Sequence, residues 1–207
     1  MTSVASRWYL DSQKRFLESR SHCLIVITNE LGEILIIRNA TSIDAEAIAR
    51  VHVRSWQQSY RDILPQEYLN NLSIERRTAA WIESFATTLQ QVVVAEINGQ
   101  IVGFSGFGPC RDDSAGPTDF EIWALYLDSA FWSKGIGRQL WQASLNAIVD
   151  KGATRVTLWV LKDNQRAIRF YRAAGFQPEN DSEKQIEIGG VRLSEVRYSR
   201  RLADVTR

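Results

Sequence analysis

Three observations predict an α/β fold built on a mixed sheet. Strand-length apolar segments alternate with helical ones along most of the 207 residues. Asn98-Gly99, between two strand-like runs, marks a tight antiparallel hairpin. Glu121-Ile-Trp-Ala-Leu-Tyr-Leu127 is apolar on both faces, as a central strand is, and a helix-length segment follows it. A chain of this length buries a sizeable core without disulfides or a structural metal.

Each element has a local reason. Residues 6–20 place Trp8, Leu10, Phe16 and Leu17 among charges at a loosely helical period. Residues 23–27 read as a strand, 29–32 as a turn and 33–38 as a second strand. Thr41 and Ser42 are cap candidates for a helix with Ile43, Ala47, Ile48 and Val51 at helical spacing, running to about Tyr60. Pro65 opens a short helix over 66–71, and Ser73 caps another over 74–85. Residues 91–97 and 101–107 are the hairpin strands, and 108–117 form a Gly, Pro, Asp and Ser loop. After the strand at 121–127 come a glycine-containing turn at 132–137 and a helix over 138–150. That helix has Leu140, Trp141, Leu145 and Ile148 at core spacing. A strand at 155–161 leads to a helix over 165–174, with Gly175 as its left-handed C′ residue. A hairpin over 186–198 turns at Gly189-Gly190.

Composition excludes several classes. Lys plus Arg total 25 and Asp plus Glu 24, a net charge of +1, which rules out a globally basic nucleic-acid binder. No apolar run nears the ~20 residues that span a bilayer, so no membrane association is expected. The start lacks the pattern of a signal peptide. Cys23 and Cys110 show no paired spacing, and only His22 and His52 accompany them. Neither a metal site nor a disulfide framework is expected, and the compartment implied is the cytoplasm.

Two features point to chemistry. Ser133-Lys134-Gly135-Ile136-Gly137-Arg138 joins a central strand to a helix. Its glycines turn the backbone without side-chain obstruction, and the helix start offers unpaired N–H groups and a positive dipole end. That suits a phosphate, with Lys134 and Arg138 adding charge, though a plain tight connection has the same look. Asn164 stands just after a strand, and Tyr171 about two helical turns on, near the same face. A tyrosine is protonated at neutral pH and serves as an acid, or it packs as one more aromatic beside Phe170 and Phe176.

These segments, with Leu158-Trp-Val-Leu-Lys-Asp-Asn164 and Ala167-Ile-Arg-Phe-Tyr-Arg-Ala-Ala-Gly-Phe176, follow one another in the order and register of the GNAT acetyltransferase superfamily. The chain resembles that family from about Ile34 to Leu202. The resemblance implies a GNAT-type mixed, mostly antiparallel twisted sheet flanked by helices, spanning 34–207. Residues 1–33 are then an N-terminal extension of a helix plus a strand. It implies an acetyl-CoA-dependent N-acetyltransferase with no metal. In that family the main chain at Leu125, Tyr126 and Leu127 pairs with the pantetheine arm. The turn from Ser133 to Arg138 holds the pyrophosphate, Asn164 contacts the CoA chain, and Tyr171 protonates the departing thiolate. One position departs from the pattern: Trp132 stands where the family turn often begins with Gln or Arg, which implies altered CoA contacts.

The reaction implied is direct attack by an amine on the thioester. Glu121, the only carboxylate on the strand at 121–127, is the candidate base acting through water, or else a strand-end Glu facing solvent. Residues 51–69 resemble a branch that includes polyamine acetyltransferases. Trp56, Tyr60, Asp62 and Glu67 then suit a cationic amine, while Trp56 and Tyr60 also suit plain packing on the sheet. His52 reads as a packed or solvated helix histidine. Trp159 holds the position of a catalytic Glu in ribosomal-protein N-terminal acetyltransferases. It cannot act as a base and would line the acceptor groove. The expected acceptor is a small-molecule amine. A protein lysine or N-terminal acetyltransferase, and a non-catalytic acyl-CoA sensor acting as a homodimer, are the alternatives. No nucleic-acid partner is expected.

Overall fold

The computed structural model describes residues 15–16, 25–28, 33–86 and 90–202. In chain order the strands are β1 (Arg15–Phe16), β2 (Ile25–Thr28), β3 (Ile34–Asn39), β4 (Gln91–Ile97), β5 (Gln100–Pro109), β6 (Asp119–Leu127), β7 (Arg155–Leu161), β8 (Gln177–Pro178), β9 (Lys184–Ile188) and β10 (Val191–Arg201). The α-helices are α1 (Ala45–Ser59), α2 (Gln66–Asn70), α3 (Ile74–Phe85), α4 (Ile136–Val149) and α5 (Gln165–Ala173). The strands form one sheet in the order β1-β2-β3-β4-β5-β6-β7-β10-β8, with β9 beside β10. Among the described strands only β6 and β7 run parallel. The α/β class with a mostly antiparallel open sheet flanked by helices is therefore observed.

Local chemistry accounts for most boundaries. Asn98 and Gly99 both have positive φ, 49° and 82°, as a type I′ turn requires. Thr41 and Asp44 cap a short 3₁₀ turn, Ser42–Asp44, that leads into α1, and the Asp44 carboxylate also grips Arg38 at 2.8 Å. Ser73 accepts the Arg76 N–H at the start of α3, and Gly175 is left-handed after α5. β2 pairs with β3 in antiparallel register, Ile25 opposite Ile37. The helical reading of 6–20 is corrected where it can be compared: residues 15–16 are strand, paired to β2. An open strand edge offers hydrogen-bond partners, and that context overrides a weak helical period. The rest of 6–20 lies outside the described residues.

The sheet carries a helical layer on each face. One layer packs α4 and α5 through Ile136, Leu140, Ile148 and Ile168 onto Val93, Ala95, Phe107, Ile122 and Val156. The other packs α1 and α3 through Ile48, Val51 and Trp81 onto Val92, Val94 and Phe104. Each fully buried side chain of this kind is worth ~1.5–3 kcal/mol. Alternate residues of β4 serve opposite cores, which is why its apolar run is unbroken.

Candidate active site

The site arises where β6 and β7 part. They pair only at Asp119, Phe120 and Glu121. One step later β6 carries a bulge: Gly106 faces Ala124 and Phe107 faces Ile122, leaving Trp123 as the extra residue. A bulge bends its strand and increases local twist. β7 stays with β10 along its whole length, Arg155 to Leu161. Between the diverging strands lies a cavity of about 910 Å³, a size suited to a large ligand. Leu125, Tyr126 and Leu127 line it, with the β7-facing edge of β6 outside any strand pairing.

One end of the cavity suits an anion. Ser133, Gly135, Gly137 and Arg138 line it. Gly135 is the N-cap of α4 at φ +81°, with no side-chain cap, so the helix start keeps main-chain donors for a ligand. Ser133 also has positive φ, 60°. Ile136 is wholly buried in the core and does not line the cavity. Lys134 does not line the cavity; its ammonium lies 5.1 Å from the centre of the Phe131 ring. α4 starts two residues earlier than its apolar spacing implied, which makes Gly137 helical. Trp132 lines the cavity as well. Its indole N–H donates to the Leu127 carbonyl at 2.8 Å, and the Arg166 guanidinium lies 3.3 Å from its ring centre. Arg166 thus brings to the turn a cation that the Trp132 position does not supply.

Asn164 and Tyr171 meet in the same cavity. The Asn164 side-chain oxygen accepts the Ala167 N–H at 3.1 Å and caps α5, which leaves its amide N–H₂ as the donor group, with the Tyr60 hydroxyl beside it. Tyr171 sits edge-on to Phe170 and Phe176, and burial pushes its hydroxyl pKa well above the ordinary 10. Trp56 and Tyr60 line the cavity and also pack, 5.1 Å apart ring to ring. The Tyr60 hydroxyl lies 3.4 Å from that of Tyr126, and burial raises its pKa too. The buried Trp56 indole N–H sits against the Tyr126 hydroxyl, and its donation opposes the larger upward push of burial on that pKa. His52 is packed rather than solvated: it is 8% exposed and stacks on Tyr126 at 5.0 Å.

The far end is charged but internally paired. Glu121 is not a strand-end carboxylate in open solvent: it is 2% exposed and lines the cavity. Arg111 holds it with its main-chain N–H at 3.1 Å, Nε at 3.0 Å and Nη2 at 2.5 Å. β6 begins at Asp119, so Glu121 is not its only carboxylate. Trp159 lines this end, with the Lys184 ammonium 3.6 Å from its ring centre. Asp62 and Glu67 are not brought to the site: both are exposed, and neither lines the cavity. The Arg111 contact escapes inspection of local motifs. Extending the hairpin ladder past Gly108 opposite Glu121 is the signal that would have found it. Among the described residues no group of three His, Cys, Asp or Glu is placed to hold a metal, and no helix is long and apolar enough to cross a membrane.

Known proteins share this fold. YncA of Salmonella typhimurium, solved with acetyl-CoA, superposes with a TM-score of 0.65 at 21% identity, over 84% of this chain and 96% of that one. The PaiA N-acetyltransferase of Thermoplasma acidophilum in complex with coenzyme A gives 0.64 at 21%, over 81% and 99%. An N-acetyltransferase of Bacillus subtilis, YuaI, itself uncharacterized, is 36% identical over 161 residues, 77% of this chain and 89% of its own. Residues 51–176 match the Acetyltransferase (GNAT) family. A family match over more than half the sequence, joined to a relative aligned along most of both chains, places this chain in the GNAT family of N-acetyltransferases.

Proposed function

We propose that this protein moves an acetyl group from acetyl-CoA to a primary amine of a small molecule, by direct attack in a ternary complex. The observation that carries this reading is the single cavity joining the unpaired edge of β6, the uncapped start of α4 and the Tyr171 hydroxyl. These residues fit acetyl-CoA: a strand edge for an amide-bearing arm, main-chain donors for phosphates, and a neutral acid for a thiolate. Acetyl-CoA supplies the activated acyl carbon.

The main chain at Leu125, Tyr126 and Leu127 aligns the thioester, and an N–H of this segment donates to the carbonyl oxygen as charge builds there. The main-chain start of α4 at Gly135 and Gly137, with Ser133 and Arg138 beside it, holds the pyrophosphate, and Asn164 donates to the arm. The N–C bond forms as the C–S bond breaks. The amine sheds two protons. One passes through water to Glu121 and on to solvent. The other restores the Tyr171 hydroxyl, whose own proton has gone to sulfur. A carboxylate oxygen has two lone-pair sites, so Arg111 leaves Glu121 room to accept from water. Trp56, Tyr60 and Trp159 wall the acceptor. Incubating the protein with acetyl-CoA and a panel of primary amines, and following free CoA, tests the proposal. Release that depends on the amine supports it, and no release with any amine overturns it.

A further inference from the structure

The acids that line the cavity are already joined to cations of the chain. Glu121 is held by Arg111, Asp112 by Arg197 at 2.8 Å, and Glu195 by Lys184 at 3.1 Å. A polycation entering here meets carboxylates that are neutralised. Two of those cations line the cavity themselves, Arg111 and Lys184, with side chains 63% and 48% exposed. Arg111 is held in one orientation. Its Nε and Nη2 grip Glu121, and its guanidinium lies 5.1 Å from the Trp123 ring centre. That grip uses one edge of the fork and leaves Nη1 outside the Glu121 pair. A buried carboxylate thus orients an exposed guanidinium at the cavity wall; Trp123 lies beside it, and Ile186 and Ile188 line the same cavity as apolar walls.

We propose that Arg111 reads a carboxylate of the acceptor, so that the acceptor is an amino acid with an apolar or aromatic side chain. The inference rests on the acyltransferase reading of the same cavity and narrows its substrate class. A planar guanidinium matches a carboxylate in two directions, and the edge of Arg111 that carries Nη1 is the one the Glu121 pair leaves unused. An amine that lacks the carboxylate leaves these donors without their partner.

The test needs no variant. With saturating acetyl-CoA, the wild-type protein is given leucine and phenylalanine, then isoamylamine and phenethylamine, the same skeletons without the carboxylate. CoA release is expected to show kcat/KM roughly 10- to 100-fold higher for the acids, mostly through KM. Arg111→Lys keeps a charge beside Glu121 but loses the fork, and should raise KM for the acids and erase most of the preference. Should Arg111→Lys fail to fold, the wild-type comparison still decides. Equal or faster turnover of the decarboxylated amines overturns the carboxylate reading and leaves the acyltransferase one standing. No turnover of any amine, with acetyl-CoA still bound in calorimetry, overturns both.

Discussion

Replacing His52 by leucine tests how one wall of the cavity is held. His52 lies on α1, stacked on Tyr126 and flanked by the Trp56, Trp81 and Phe104 rings, and its Nδ1 has no hydrogen-bond partner. Burial first, and the Arg77 charge second, push its pKa from 6.5 down to about 3. The folded protein therefore keeps the imidazole neutral, while the unfolded chain takes up a proton below 6.5. Stability from this group is whole above 6.5 and falls as pH drops toward 3. The loss is about 1.36 kcal/mol per pH unit below 6.5, hence roughly 2 kcal/mol at about pH 5. His52→Leu fills similar space and removes the titration. Urea unfolding, followed by tryptophan fluorescence at about pH 5 and pH 8, gives the fall in stability for each protein. Carboxylate titrations are common to both and cancel in the difference. The wild type should lose about 2 kcal/mol more than His52→Leu between the two conditions. Equal losses would refute the buried neutral imidazole and the packing inferred around Tyr126.

Tyr171→Phe keeps the ring contacts to Phe170 and Phe176 and should cut kcat by roughly 10²- to 10⁴-fold while calorimetry shows unchanged acetyl-CoA affinity; full activity would remove Tyr171 as the acid. Because its pKa lies above 10, a wild-type rate profile should show no loss from this hydroxyl below about pH 10. Glu121→Gln should lower kcat/KM at neutral pH by roughly 10- to 100-fold and recover at higher pH, where more of the amine is already neutral; a profile parallel to wild type would exclude the base role. In Gly137→Ala the new Cβ meets Phe170 at an ordinary 3.5 Å, so the melting temperature should hold. A methyl at the helix start obstructs a phosphate, and titration should show acetyl-CoA binding weakened about tenfold, ~1.4 kcal/mol. Unchanged affinity would place the phosphate elsewhere.

Local chemistry determined much of this protein. The Asn98-Gly99 turn, the Ser73 cap, the left-handed Gly175 and the unbroken apolar run of β4 each follow from short-range sterics or from a two-sided core, and all were legible in the sequence. So were the glycines that start α4 and the pairing of Asn164 with Tyr171 across α5, because two helical turns return a side chain to the same face. The structure alone decided what surrounds them. Glu121 looked like a strand end until the hairpin ladder carried Arg111 onto it. Trp132 looked like a missing polar residue until the fold laid it on the Leu127 carbonyl and set Arg166 against its ring. Asp62 and Glu67 looked like acceptor acids until the path after α1 left them in solvent. Residues within a few positions of one another are placed by backbone geometry, which the sequence states directly. Charge partners ten or more residues apart depend on strand register and on where β6 leaves β7, and only the folded sheet determines those.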